Sequence, residues 1–233
     1  MEVNFTIGAK EYEVPEVITV DRFEKAMAWD LQDLKNIKPF VASLIDCELP
    51  SLNLLDEEVF HIISGVCISR IHVSDCKMEA RLGLYPVRDW DSLTFGEWVD
   101  IDTFMAMGVT QNVAKIASIL YDAPEEYVKK MDIKRVWGAI IEASKWREAI
   151  YKEYDEFFEI GEGSGESDGK ANVQLMWYNS IIVLADEDFL KIHQVVERPY
   201  KEALNFLTWK KAKLQKEQLE NLKRKNEIQR RVR

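Results

Sequence analysis

Long apolar runs are missing from this sequence. The longest purely aliphatic stretch, Ile181 to Ala185, is far short of the about 20 residues that a membrane-spanning helix needs. The opening residues, Met1-Glu2-Val3-Asn4-Phe5, lack a basic segment followed by an apolar one, so no signal peptide is expected. Cysteine is scarce and odd in number, Cys47, Cys67 and Cys76, which favours reduced thiols over a disulfide framework. Histidine numbers only three. His61, Cys67, His72 and Cys76 crowd into one segment, but none forms the close pair that structural zinc prefers, and ordinary buried residues are expected there. Four of the ten glycines fall between Gly161 and Gly169, leaving no Gly-rich turn after a strand to cradle a phosphate. Neither a metal nor a cofactor is expected.

What the chain has in quantity is charge, unevenly placed. Residues 201–233 hold 11 Lys/Arg against 4 Asp/Glu, a net +7 in a protein of net −10, so the first 200 residues carry −17. An acidic body that ends in a basic, leucine-bearing helix reads as a body with a docking arm. The aromatic supply of seven Trp, ten Phe and eight Tyr is enough for a sizeable core.

Periodicity gives a mostly α-helical α+β chain with an N-terminal β-hairpin, a helical body and a C-terminal helical module that extends as a basic helix. Val3, Phe5 and Ile7 alternate with polar residues, Gly8-Ala9-Lys10 turns the chain, and Tyr12 and Val14 resume the alternation. Asp21 and Glu24 are spaced as a helix N-cap pair ahead of Phe23, Met27, Leu31 and Leu34. A short helix is expected over 40–46 and another after Asp56, with Val59, Ile63 and Val66 on its inner face. Residues 68–88 read as one or two strands. Thr94-Phe95-Gly96-Glu97 is a capping box. Val113, Ile116, Ala117 and Leu120 define a helix stopped by Asp122-Ala123-Pro124, and a longer helix is expected over 132–158.

Residues 161–170 read as a flexible Gly/Ser linker between an acidic α+β body, 1–160, and a helical module, 171–233. Within it, Gly165-Glu-Ser167-Asp-Gly169 matches the nucleophile-elbow pattern but has no strand before it, so the linker reading prevails. Asp89-Trp-Asp91 and Asp100-Ile-Asp102 could face a cation, yet acids at turns and helix starts cap backbone equally well. In the tail Leu207, Leu214, Leu219 and Leu222, with Lys223, Arg224 and Lys225, form the candidate partner-binding set. No heptad repeat survives there, which disfavours an autonomous coiled coil. Its three glutamates, and the acidity of the rest, disfavour nucleic acid as the partner.

The stretch Leu93-Thr-Phe-Gly-Glu-Trp-Val-Asp-Ile-Asp102, followed by Asn112-Val-Ala-Lys-Ile-Ala-Ser-Ile-Leu-Tyr121, resembles virion-assembly proteins of tailed bacteriophages, in particular tail-assembly chaperones. The hairpin ending Tyr12-Glu-Val-Pro15 and the terminal Ala203-Leu-Asn-Phe-Leu207 segment are similar to such proteins too. The resemblance covers about half the chain. It implies a non-enzymatic protein of the host-cell cytoplasm or the virion that binds a helical tail component such as the tape-measure protein. It also implies other tail or virion proteins as partners, a homo-oligomer as a further option, and no membrane. The alternatives are a structural virion component (baseplate, neck or internal protein) and an acidic host-directed regulator.

Overall fold

The computed structural model describes residues 3–158 and 169–231. In chain order it holds strands β1 (Val3–Ile7) and β2 (Lys10–Val14) and helices α1 (Val20–Ala26), α2 (Ile37–Ile45), α3 (Leu49–Leu52) and α4 (Glu57–Arg70). A two-residue hairpin follows, β3 (Arg81–Leu82) and β4 (Tyr85–Pro86), then α5 (Phe95–Gly108), α6 (Val113–Tyr121), α7 (Glu125–Val128), α8 (Ile133–Glu153) and α9 (Asp155–Phe158). The last helices are α10 (Gly169–Leu184), α11 (Ile192–Val196) and α12 (Tyr200–Arg231). The fold is therefore α+β and mostly α-helical, with its N-terminal hairpin and long terminal helix as expected.

The chain clusters into two compact units, Met1–Arg88 with Phe104–Lys145, and Asp89–Thr103 with Trp146–Arg233. These are drawn otherwise than the 1–160 and 171–233 of the sequence reading. Residues 89–103 and 146–158 belong with the C-terminal helices because Trp98 stacks on Tyr200 and because Asp102, which binds Arg147 and Tyr151, also accepts from Trp177. Of the expected linker, 161–170, residues 161–168 lie outside the described residues, and Gly169 already begins α10.

In the first unit β1 and β2 pair in register Phe5↔Tyr12, with those rings stacked at 5.7 Å. Gly8 turns the hairpin at φ +61°, a conformation that costs glycine little. Segment 18–21 is tied to 129–133 by backbone hydrogen bonds: Val20 N–H donates to Met131 O (2.9 Å) and Ile133 N–H to Ile18 O (2.9 Å). The N-cap of α1 is Thr19, not Asp21, which instead pairs with Lys25 at 2.7 Å. Glu24 caps a different helix, accepting from Ala114 N–H at the start of α6 (2.7 Å). Helix α1 stops at Ala26 instead of reaching Leu34. Asp30 and Asp33 accept from Gln32 and Lys35 N–H, and such local side-chain bonds compete with helix.

Residues 68–88 hold far less strand than expected, since α4 continues to Arg70 and only β3 and β4 pair. What orders this segment is tertiary: Glu79 takes a two-pronged hydrogen bond from Arg135, and Tyr121 O–H donates to Glu79 O (2.7 Å). The inner face of α4 is Phe60, Ile63, Ser64 and Cys67. Ile63 was expected there, whereas Val59 is turned to solvent.

The second unit is built on aromatics. Trp98 is fully buried, stacks on Tyr200 (5.4 Å) and meets Trp146 edge-on (5.0 Å). Trp177 is buried between Phe95 (5.7 Å) and Phe158 (6.0 Å).

Candidate protein-docking surface

The basic helix is anchored by the residues that open α5. Thr94 and Glu97 form the capping box: Thr94 N–H donates to Glu97 Oε2 (2.8 Å) and Glu97 N–H to Thr94 Oγ1 (3.2 Å). On either side of Thr94 the backbone pairs with the entry to α12, Phe95 N–H to Arg198 O (2.6 Å) and Tyr200 N–H to Leu93 O (3.2 Å). Tyr200, Ala203, Leu204 and Leu207 are buried. The first two turns of α12 are thus core, and Leu207, though expected in the binding set, is one of its members.

Beneath this anchor sits a buried polar knot. Asp102, wholly enclosed, accepts from Arg147 Nε, Tyr151 O–H (3.0 Å) and Trp177 Nε1–H (2.7 Å). Three donors, one of them cationic, occupy the carboxylate and join α5, α8 and α10. Asp102 is therefore no cation ligand. Burial, then the charge of Asp102, pushes the Tyr151 hydroxyl well above its ordinary range. Asp89 caps its own turn, accepting from Asp91 N–H (3.1 Å), and Asp91 meets Lys201 Nζ at 2.8 Å. The lysine holds the Asp91 carboxyl below the usual range. Among the described residues no three His, Cys, Asp or Glu side chains gather as metal ligands. His72 contacts Ser74 Oγ (2.7 Å) and Cys67 is buried as a free thiol.

Beyond Lys211 every described side chain of α12 up to Asn226 is exposed. Leu214 (49%), Leu219 (59%) and Leu222 (57%) are the large apolar members of that stretch, and Lys223, Arg224 and Lys225 are exposed as well. At 100° per residue the three leucines share one broad face with Gln215, Gln218 and Lys225. Glu217, Glu220 and Glu227 fall on the opposite face, spaced i, i+4 from Lys213, Lys216, Arg224 and Lys223. Charges that support the helix are segregated from the leucines.

Where the arm leaves the core, a groove of about 500 Å³ opens between α9, α10 and α12, lined by Phe157, Phe158, Met176, Val183, Leu207 and Leu214 among others. Lys210 and Lys211 donate to Val183 O (3.3 Å) and Phe157 O (3.1 Å), so they complete the ends of α10 and α9. The sequence reading missed a second apolar feature, Phe206 against Trp209 (5.5 Å), both about half exposed, with Lys213 over the Trp209 ring (5.4 Å). Their i, i+3 spacing, out of phase with Leu204 and Leu207, was the available signal.

No protein-family model, curated protein or solved structure matches the chain. Among the described residues no helix is long and apolar enough to cross a membrane.

Proposed function

We propose that this protein is a non-catalytic protein-binding factor that uses the outer half of α12 to hold a helical partner during assembly of a tailed-phage particle. The observation that carries the binding role is the solvent-exposed, acid-free leucine face of α12, rigidly rooted in an aromatic core. An amphipathic helix that nothing covers lays its apolar face against another protein. The phage setting rests on the resemblance of Leu93–Asp102 and Asn112–Tyr121 to tail-assembly chaperones. On that reading the partner is a long helical subunit of the tape-measure kind. A permanent place in the virion, or an acidic regulator of host proteins, are the competing readings.

Co-expression with a helical tail subunit, followed by affinity capture, tests this. Changing Leu214, Leu219 and Leu222 together to Ser should abolish capture, because each buried leucine is worth about 1.5–3 kcal/mol against about 0–1 for an exposed ion pair. Neutralising Lys223, Arg224 and Lys225 should weaken it less. If the charge changes alone remove binding, and affinity falls linearly in log salt, the arm binds a polyanion instead.

A further inference from the structure

We infer that the groove between α9, α10 and α12 seats the partner, and that the partner is an amphipathic helix with carboxylates along the edges of its apolar stripe. This rests on the reading of α12 as a docking helix and adds the chemistry of what it docks. All three elements belong to one compact unit. Apolar side chains also lie exposed on α4, at Val59 and Ile62, and on α10, at Leu175 and Tyr178. Each of those is the convex side of a single helix. The groove is concave: Phe157 and Phe158 of α9, Met176 and Val183 of α10, and Leu207 and Leu214 of α12 all line it. A helix lying there is covered from two sides, and apolar stabilisation grows with the area covered.

The walls select a helix over other occupants. Met176, Asn179 and Val183 stand at i, i+3, i+7 on α10, and Leu207, Lys211, Leu214 and Gln218 at i, i+4, i+7, i+11 on α12. Each wall is thus one helical face, and that of α12 runs about 16 Å, or about three turns. An extended segment would lose water from its backbone N–H and C=O groups and gain few partners. The wall backbones are bonded within their own helices, and Val183 O and Phe157 O accept from Lys210 and Lys211. A helix bonds its own backbone. An acyl chain fails for a different reason. Asn179, Gln215 and Gln218 line the groove as well, and a chain with one polar end would strip their water and return nothing.

Charge sets the edges of the stripe. Lys210 and Lys211 line the groove, with no carboxylate among its described lining residues. Glu156 lines the adjoining hollow, together with Lys216. Further along α12, at 100° per residue, Lys225 falls on the leucine face and Lys223 at its edge, while Glu217, Glu220 and Glu227 lie about 130° or more from the centre of that face. Arg224 lies among those glutamates. Apolar surface set with lysines and amides complements a leucine stripe edged by Glu or Asp. The arm of a second copy is excluded by the same rule, because its own leucines are edged by lysine.

Fluorescence anisotropy of the full chain with two labelled helical peptides tests the inference. Both have eighteen residues, about 27 Å as a helix and so long enough to run from Leu207 to Lys225. They share one leucine stripe, edged by Glu in the first and by Lys in the second. The Glu-edged peptide should bind about tenfold tighter or more, with the gap narrowing as salt rises. Val183→Glu, at an exposed position of α10, should weaken its binding about tenfold by setting a carboxylate against its acids. Leu214→Glu on the other wall should do the same, with circular dichroism showing each variant folded. Lys223→Glu combined with Lys225→Glu should narrow or reverse the preference. Equal binding of both peptides, binding of neither, or Glu-edged binding that both wall variants leave unchanged would overturn the inference. So would a fluorescent fatty acid that Val183→Glu excludes and the Glu-edged peptide does not displace. Val183→Glu leaves Leu214, Leu219 and Leu222 in place, which separates the two readings. If the peptides show no preference while a helical tail subunit is still captured through those leucines, the groove inference fails and the proposed function stands. Preference for the Glu-edged peptide without capture of any tail subunit refutes the phage setting and leaves the groove as the site.

Discussion

Asp102 is the residue on which the second unit turns, and nothing in the sequence marks it out from Asp100 two positions earlier. Both read as acids at a helix start. In the fold Asp102 faces inward onto Arg147, Tyr151 and Trp177, while Asp100 stays exposed, its carboxyl raised above the ordinary range by partial desolvation and then by the charge of Glu97. Removing one member of a buried, paired group strands the others. Asp102→Ala should cost about 3–5 kcal/mol in denaturant unfolding, and Asp102→Asn less, since its amide oxygen still accepts from Trp177. Glu24 poses the opposite case. Burial lifts its carboxyl above the usual glutamate range, partly offset by the bond from Ala114 N–H. The fold then holds that proton more tightly than the unfolded chain does. Its contribution is most favourable below the ordinary glutamate pKa, declines as pH rises through that value, and levels off above the folded one. Glu24→Gln keeps an acceptor for Ala114 and should be at least as stable as wild type at pH 7, the difference vanishing in acid. Paired thermal melts across pH 3–8 read this directly, and a Gln variant less stable at pH 7 would refute the desolvation account.

Elements were legible where the local signal and the tertiary outcome agree. The capping box at Thr94, the alternation of the hairpin, and the stop at Asp122, whose φ of 48° is the left-handed end of α6, could all be read from a few adjacent residues. The loop over 71–80 could not, because Arg135 and Tyr121 order it from positions far along the chain. Gly138 belongs to the same contact. It lies inside α8, where alanine would normally be favoured by about 1 kcal/mol, but a Cβ there would run into the backbone of Lys77 and Met78. The clash is with main chain, which cannot swing aside, so Gly138→Ala should destabilise by about 1–3 kcal/mol in spite of its better helix propensity. An unchanged or raised melting temperature would show that 71–80 does not rest on α8. Of the four leucines singled out in the tail, Leu214, Leu219 and Leu222 are exposed and Leu207 is buried, a position whose spacing is as suited to core as to surface. Along α12 the amide protons should exchange slowly through Leu207 and progressively faster beyond Lys211 at concentrations where the chain is monomeric, because only i, i+4 charge pairs support that part.

At the scale of the whole chain, the composition of 161–169 suggested a body and a detachable module, and the packing of the second unit argues for a different result. Trp177, on the C-terminal side of that segment, donates to Asp102 and lies against Phe95. Tyr200 stacks on Trp98, and the backbone of Leu93 and Phe95 bonds to Tyr200 and Arg198. These contacts join residues before 104 to residues after 176 within one compact unit. They include fully buried aromatic rings, each worth several kcal/mol when removed. A protease site inserted within 161–168 and cleaved should therefore give two fragments on a denaturing gel that still elute together as one species under native conditions. Separation should require denaturant, and mixing the separated pieces should regenerate the complex. The cleaved protein should also keep the capture activity of α12, since the capping box that anchors the helix sits on the other fragment and stays in place. Should the fragments part spontaneously on a sizing column, the C-terminal helices would be an independent module, and the anchoring of the arm by Leu93, Thr94 and Phe95 would be refuted with it.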